Sequence, residues 1–139
     1  MATAVLHSAP ASPHVGRIEF ASTRRSRNGW AGTATIEFDG ELWPIDLDMI
    51  GPYVSEMVRF FDDIARPGWT GAATWRSEFA ELTVEAQSKA DQLVMLTFCV
   101  WWKDGDELDN ERGGQLLVRA AALPEFVGRL RELTGRTDQ

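Results

Sequence analysis

The sequence predicts an α+β domain: an antiparallel sheet of about six strands with two helices packed on one face, in the order βββα-βββα. Five short runs alternate apolar and polar residues, the period-two pattern of strands half-buried in a sheet, and a sixth is apolar on both faces. Two longer runs repeat apolar residues at helical spacing, and each opens on a proline, Pro52 and Pro124, where a first helical turn tolerates one. Runs of strands followed by a single helix, rather than strands alternating with helices, point to antiparallel pairing. The 139 residues suffice for one domain with a substantial core.

Residues 1–14 read as a flexible N-terminal tail, because Ala9, Pro10, Ala11, Ser12 and Pro13 lack any sustained apolar pattern. The single domain is expected over 15–135, with a short C-terminal tail at 136–139. Ile18 and Phe20 alternate with Arg17 and Glu19 in the first strand. Arg24, Arg25 and Arg27 precede the turn dipeptide Asn28-Gly29, after which Ala34, Ile36 and Phe38 alternate with Thr33, Thr35 and Glu37. Asp39-Gly40 marks a second turn, and the strand that follows carries Pro44, which places it at a sheet edge.

Val54, Met57, Val58, Phe61 and Ile64 then define the clearest helix, stopped by Arg66-Pro67-Gly68. Residues 69–77 show no period and read as a packed loop. Leu82, Val84 and Ala86 alternate with Glu81, Thr83 and Glu85 in a strand begun at Phe79. Residues 93–102 are apolar on both faces and belong mid-sheet. An acidic hairpin loop at 104–114 leads through Leu116, Val118 and Ala120 to the last helix, with Phe126, Val127, Leu130 and Leu133, stopped by Gly135. Counted from their prolines, Val54, Val58, Arg59 and Phe61 of the first helix meet Phe126, Leu130, Arg131 and Leu133 of the second, the pattern a duplication would leave.

Composition removes several function classes. Fourteen basic against 21 acidic residues give a net charge of −7, which repels a phosphate backbone and favours a basic protein partner. Nucleic acid is therefore not an expected partner. No apolar run reaches the length of a bilayer span and the start lacks a secretory pattern, so no membrane association is expected and a cytoplasmic setting is. Cys99 is the single cysteine, which excludes an intrachain disulfide and a thiolate zinc cluster. Phosphate-loop glycine patterns are absent, and no cofactor or metal is implied.

Nor does a catalytic constellation emerge. His7 and His14 both fall in the expected tail, where nothing would orient them. Asp104, Asp106, Asp109 and Glu111 lack the spacing of a calcium loop, and Cys99 within an apolar strand reads as an inert small hydrophobe.

Six tryptophans among 139 residues are the unusual count. Core packing accounts for most such residues, although large aromatics with a polar N–H also favour interfaces. Strand parity separates some of them. If Leu96, Phe98 and Val100 face the helices, then Met95, Thr97, Cys99 and Trp101 share the opposite face with Thr83 and Glu85, and with Thr35 and Glu37 in the same sheet. That open face is a candidate binding surface, unless loops or a second copy of the chain, as a homodimer, cover it.

The stretch Gly68-Trp69-Thr70-Gly71, followed by Trp75-Arg76-Ser77 and then Phe79, Glu81, Leu82 and Val84, resembles a family of small uncharacterised bacterial proteins, a domain of unknown function. The resemblance spans roughly residues 17–133 and implies a shared α+β fold without adding an activity. It directs attention to Trp69, Trp75, Arg76 and Ser77, whose structural reading is a loop that ties helix to sheet. Together these readings lead to a non-enzymatic protein that engages another protein, as an immunity-type or regulatory partner does. Trp69, Trp75, Arg76, Met95, Thr97 and Trp101 are its candidate contacts. The alternative is a small-ligand-binding domain, more remotely an enzyme, with an aromatic-lined pocket near Trp69, Trp75, Arg76 and Trp101.

Overall fold

A computed structural model of the chain describes residues 3–24, 29–104 and 108–135. Its elements are β1 (Thr3–His7), β2 (Gly16–Arg24), β3 (Gly29–Phe38), β4 (Glu41–Ile50), α1 (Gly51–Ile64), β5 (Ala72–Arg76), β6 (Leu82–Lys89), β7 (Leu93–Asp104), β8 (Leu108–Arg119) and α2 (Leu123–Thr134). The expected single six-stranded sheet is replaced by two four-stranded antiparallel sheets, β1-β2-β3-β4 and β5-β6-β7-β8. The order is therefore ββββα twice.

Two strands account for the difference. Ala4 and Leu6 of β1 are buried while Thr3, Val5 and His7 face outward, so part of the expected flexible tail is the first strand of the fold. Within the expected packed loop, Trp75 turns inward and Ala72, Thr74 and Arg76 turn outward to make β5. Each strand is only five residues long, and alanines and hydroxyl residues mute its alternation. The expected arginine turn at 24–27 falls largely, and the tip of the acidic hairpin and the C-terminal tail at 136–139 fall wholly, outside the described residues.

Other expectations correspond to the geometry. Asp39 and Gly40 form the two-residue β3–β4 turn with φ of 50° and 91°, the left-handed pair that such hairpins require. β4 is an edge strand and β7 is interior. Pro44 is accommodated because even-numbered β4 residues direct their backbone nitrogen away from β3, as Ile50 shows by donating to Glu78 Oε1 at 3.0 Å.

The halves clasp each other reciprocally. The β5–β6 loop reaches the β4 edge through that Glu78 contact, and the β1–β2 connection reaches the β8 edge. There Ala9 donates to the Leu117 carbonyl at 2.7 Å, and Leu117 donates to Ser12 Oγ at 3.1 Å. α1 lies against β3, β4 and β5, while α2 lies against β1, β2 and α1. Each helix thus packs on the opening strand of the other half.

One continuous core joins the inner faces of both sheets and both helices. Phe61 stands at its centre, with ring contacts to Phe20, Phe60, Trp75 and Phe126 at centroid distances of 4.9–6.4 Å. Phe38 joins the sheets, its ring edge-on to Phe98 at 6.2 Å and closed over Gly114. Trp30 occupies the space left by Gly32, and its indole donates to Ser22 Oγ at 2.8 Å. Ser22 in turn donates to the Leu133 carbonyl at 3.2 Å, fastening sheet 1 to the end of α2. Arg131 and Asp62 pair at 3.0 Å between the helices.

Candidate functional site

The parity expectation for β7 places its side chains as read. Leu96, Phe98 and Val100 are buried, and Met95, Thr97, Cys99 and Trp101 lie partly exposed on the outer face of the second sheet. Register adds Arg76 to that face, in one row with Thr83, Cys99 and Gly113. Thr35 and Glu37 lie instead in the first sheet, so they do not share this surface. Their separation follows from the division into two sheets.

Much of the outer face is internally satisfied. Gln115 donates to Thr97 Oγ1 at 3.2 Å, and Cys99 Sγ donates to Glu111 Oε1 at 2.8 Å. Burial, with Glu111 adding hydrogen-bond and charge effects, pushes the Cys99 thiol up to about 11. At pH 8 it is therefore almost wholly protonated, and the raised value lowers native stability only as pH climbs from about 9 through 11. Labelling of native protein by iodoacetamide at pH 8 is expected to be at least about tenfold slower than labelling of the unfolded chain. Equal rates would contradict the packing of this thiol.

Trp75 and Trp69 are not on this face. Trp75 is 4% exposed and packs on Phe61. Trp69 is partly buried beside a hollow of about 790 Å³ at the end of α1, walled also by Ile64, Leu93 and Pro124. Ser77, the last residue of the Trp-Arg-Ser stretch, is 2% exposed; its hydroxyl accepts from the Leu82 N–H at 3.1 Å and donates to Glu81 Oε1 at 2.8 Å. Trp75 and Ser77 thus tie β5 to the core and close the β5–β6 loop, in which Ala80 has φ of 62°. Phe79, expected inside a strand, sits in this loop at 67% exposure.

Among the expected contacts, Trp101 joins the groove between the two sheets. This opening of about 660 Å³ runs between β4 of the first sheet and β7 of the second. Trp43 and Trp101 stand in its walls with Leu42, and Glu41, Asp46 and Glu81 supply carboxylates. Trp43 stacks on Phe38 at 5.5 Å and donates through its indole to Glu41 Oε1 at 3.1 Å. Asp46 accepts from Thr33 Oγ1 at 3.3 Å, and Glu81 Oε1 accepts from Ser77 Oγ at 2.8 Å. Arg112 is the cation in the lining. The carboxylates are thus oriented by neighbours before any partner arrives.

Sequence reading found Trp101 by parity. Trp43 shares the inward parity of Ile45, Leu47 and Met49 and is buried with them, as the core reading of most tryptophans expects, and its position at a sheet edge also brings it to the groove wall.

His7 ends β1, and His14 lies in the connection from β1 to β2. His14 Nδ1 and Asp39 Oδ2 are 2.7 Å apart, and Asp39 also accepts from the Val15 backbone. The His14 contact, with the Val15 bond adding, holds the Asp39 carboxyl below its usual range. This pair does not extend to a nucleophile through Ser12, whose hydroxyl donates to the His14 carbonyl rather than its ring. Among the described residues, no three His, Cys, Asp or Glu side chains converge as a metal site, and no helix is long and apolar enough to cross a membrane.

The fold and groove describe an α+β protein with an acidic, aromatic recess between two sheets. Comparison with protein-family models, curated proteins and solved structures finds no match.

Proposed function

We propose that this chain is a non-enzymatic binding protein that engages a basic segment of another protein through the β4–β7 groove, as an immunity-type or regulatory partner. The observation that carries the reading is the meeting of Trp43 and Trp101 with Glu41, Asp46 and Glu81 around one open recess. A lysine or arginine side chain entering there gains attraction from the indole faces and charge-assisted hydrogen bonds from the carboxylates. The net charge of −7 adds long-range steering of a basic partner.

Trp101→Ala and Asp46→Lys are suited to test this, because both residues lie partly or fully exposed. Each variant should remain folded, with Trp101→Ala losing less than about 2 kcal/mol of stability. Purification at native level from the source organism, followed by mass spectrometry, is expected to recover one basic protein in stoichiometric amount. Raising salt from about 0.05 to about 0.3 M should weaken recovery, and both variants should abolish it. A partner retained by both variants, or a loss of about 3 kcal/mol or more on truncating Trp101, would contradict this assignment.

A further inference from the structure

A second recess has a different chemistry. β5 is an edge of its sheet and runs beside α1. The bonds just beyond its ends fix which backbone groups are committed: Ser77 donates to the Leu82 carbonyl at 2.9 Å, and Ser88 donates to the Gly71 carbonyl at 3.0 Å. In this antiparallel register Ala73 and Trp75 therefore exchange bonds with β6. The N–H and C=O groups of Ala72, Thr74 and Arg76 point the other way. These three residues are exposed, and no described residue supplies a hydrogen bond to those backbone groups.

This open edge forms one side of a groove of about 530 Å³, with Tyr53, Glu56, Arg59 and Phe60 of α1 opposite. Trp75 also lines the groove, and its Nε1 is buried without an acceptor. Buried indole N–H groups normally find a partner. Unmet donors and acceptors at two-residue spacing are matched by another extended backbone, which a compact ligand or a helix does not offer.

We propose that the groove between β5 and α1 binds an extended peptide segment of another protein, which adds to β5 as a fifth strand and lies along α1. Glu56, Asp63 and Glu78 line the groove together with Arg59 and Arg76, so its charges nearly balance and the segment need not be strongly basic. That distinguishes it from the occupant of the β4–β7 groove. A second folded copy fits less well, because its own β5 edge lies beside its own α1.

The test begins with selection from a phage-displayed library of linear peptides about a dozen residues long, followed by amide mapping with a selected peptide. In the free full-length protein, the Thr74 and Arg76 amides should exchange with solvent faster than those of Ala73 and Trp75. With peptide bound, Thr74 and Arg76 should become protected. Thr74→Pro removes an outward N–H without removing a β5–β6 bond, so it should leave the fold intact and weaken peptide binding at least about tenfold. Thr74→Ala, which keeps the backbone donor, should bind as the native chain does. The proposal is overturned if no binder is selected, if Thr74→Pro folds and binds normally, or if protection maps to β4 and β7. A concentration-dependent dimer abolished by Thr74→Pro would overturn it too, by assigning the edge to a second copy. Protection at β5 and protection at β4 and β7 are read on different amides, so failure here and failure of the first groove are separable.

Discussion

Phe61→Ala is expected to cost about 4 kcal/mol of stability, read as a lower urea midpoint with an unchanged slope. The reason is position as much as size. Phe61 is fully buried and touches Phe20 in the first sheet, Trp75 in the second and Phe126 on α2. Truncation therefore removes contacts from three elements at once, and the surrounding rings cannot collapse together without moving both sheets. Phe79→Ala is the control: at 67% exposure that ring should contribute within about 0.5 kcal/mol. A loss below about 2 kcal/mol for Phe61→Ala would show that the two halves do not share one core.

Gly32→Ala is expected to destabilise by about 3 kcal/mol or more, a fall in Tm of roughly 10 °C. Adding one carbon here is harmful because the space is already occupied. A Cβ on Gly32 would lie 2.6 Å from Trp30 Cη2, and closer still to Trp30 Cζ2 and the Ala21 carbonyl oxygen. The indole could move only by breaking its bond to Ser22 and loosening the link onward to Leu133 of α2. The carbonyl is part of the β2–β3 ladder and has little freedom. Gly128→Ala offers the contrast, since a Cβ there meets nothing within 4 Å on the surface of α2; it should be neutral or slightly stabilising. Equal stability of Gly32→Ala and the native chain would refute the tight seat of Trp30.

The parts of the fold legible in sequence were those where one periodicity dominates. Val54, Met57, Val58, Phe61 and Ile64 can satisfy a helix and not a strand, and Asp39-Gly40 specifies its turn through backbone conformations that few residue pairs accept. Pro44 correctly indicated an edge because it lacks a donor. β1 and β5 were obscured because Ala4, Ala72 and Ala73 fit either face and Thr-Gly or Ser-Pro sequences flank them. The division into two sheets was also hidden, since alternation along a strand records which face is buried and not which neighbour lies beyond it.

The candidate contacts divide along the same line. Met95, Thr97 and Trp101 share a face because parity is local, and Arg76 joins them once β5 is known. Trp75 does not, since its apparent loop is a strand whose inward position it fills. Trp43 comes to Trp101 only through the placement of one sheet beside the other, which no local pattern encodes.

The assignment of the β4–β7 groove is tested by a ¹H–¹⁵N titration of the full chain with an arginine- and lysine-rich peptide at low salt, following the resolved indole N–H signals. Binding at the β4–β7 groove predicts saturable shifts of the Trp43 and Trp101 indoles, a static Trp75 signal, and loss of the response in Asp46→Lys. Shifts confined to other indoles, or a response unchanged by Asp46→Lys, would contradict it.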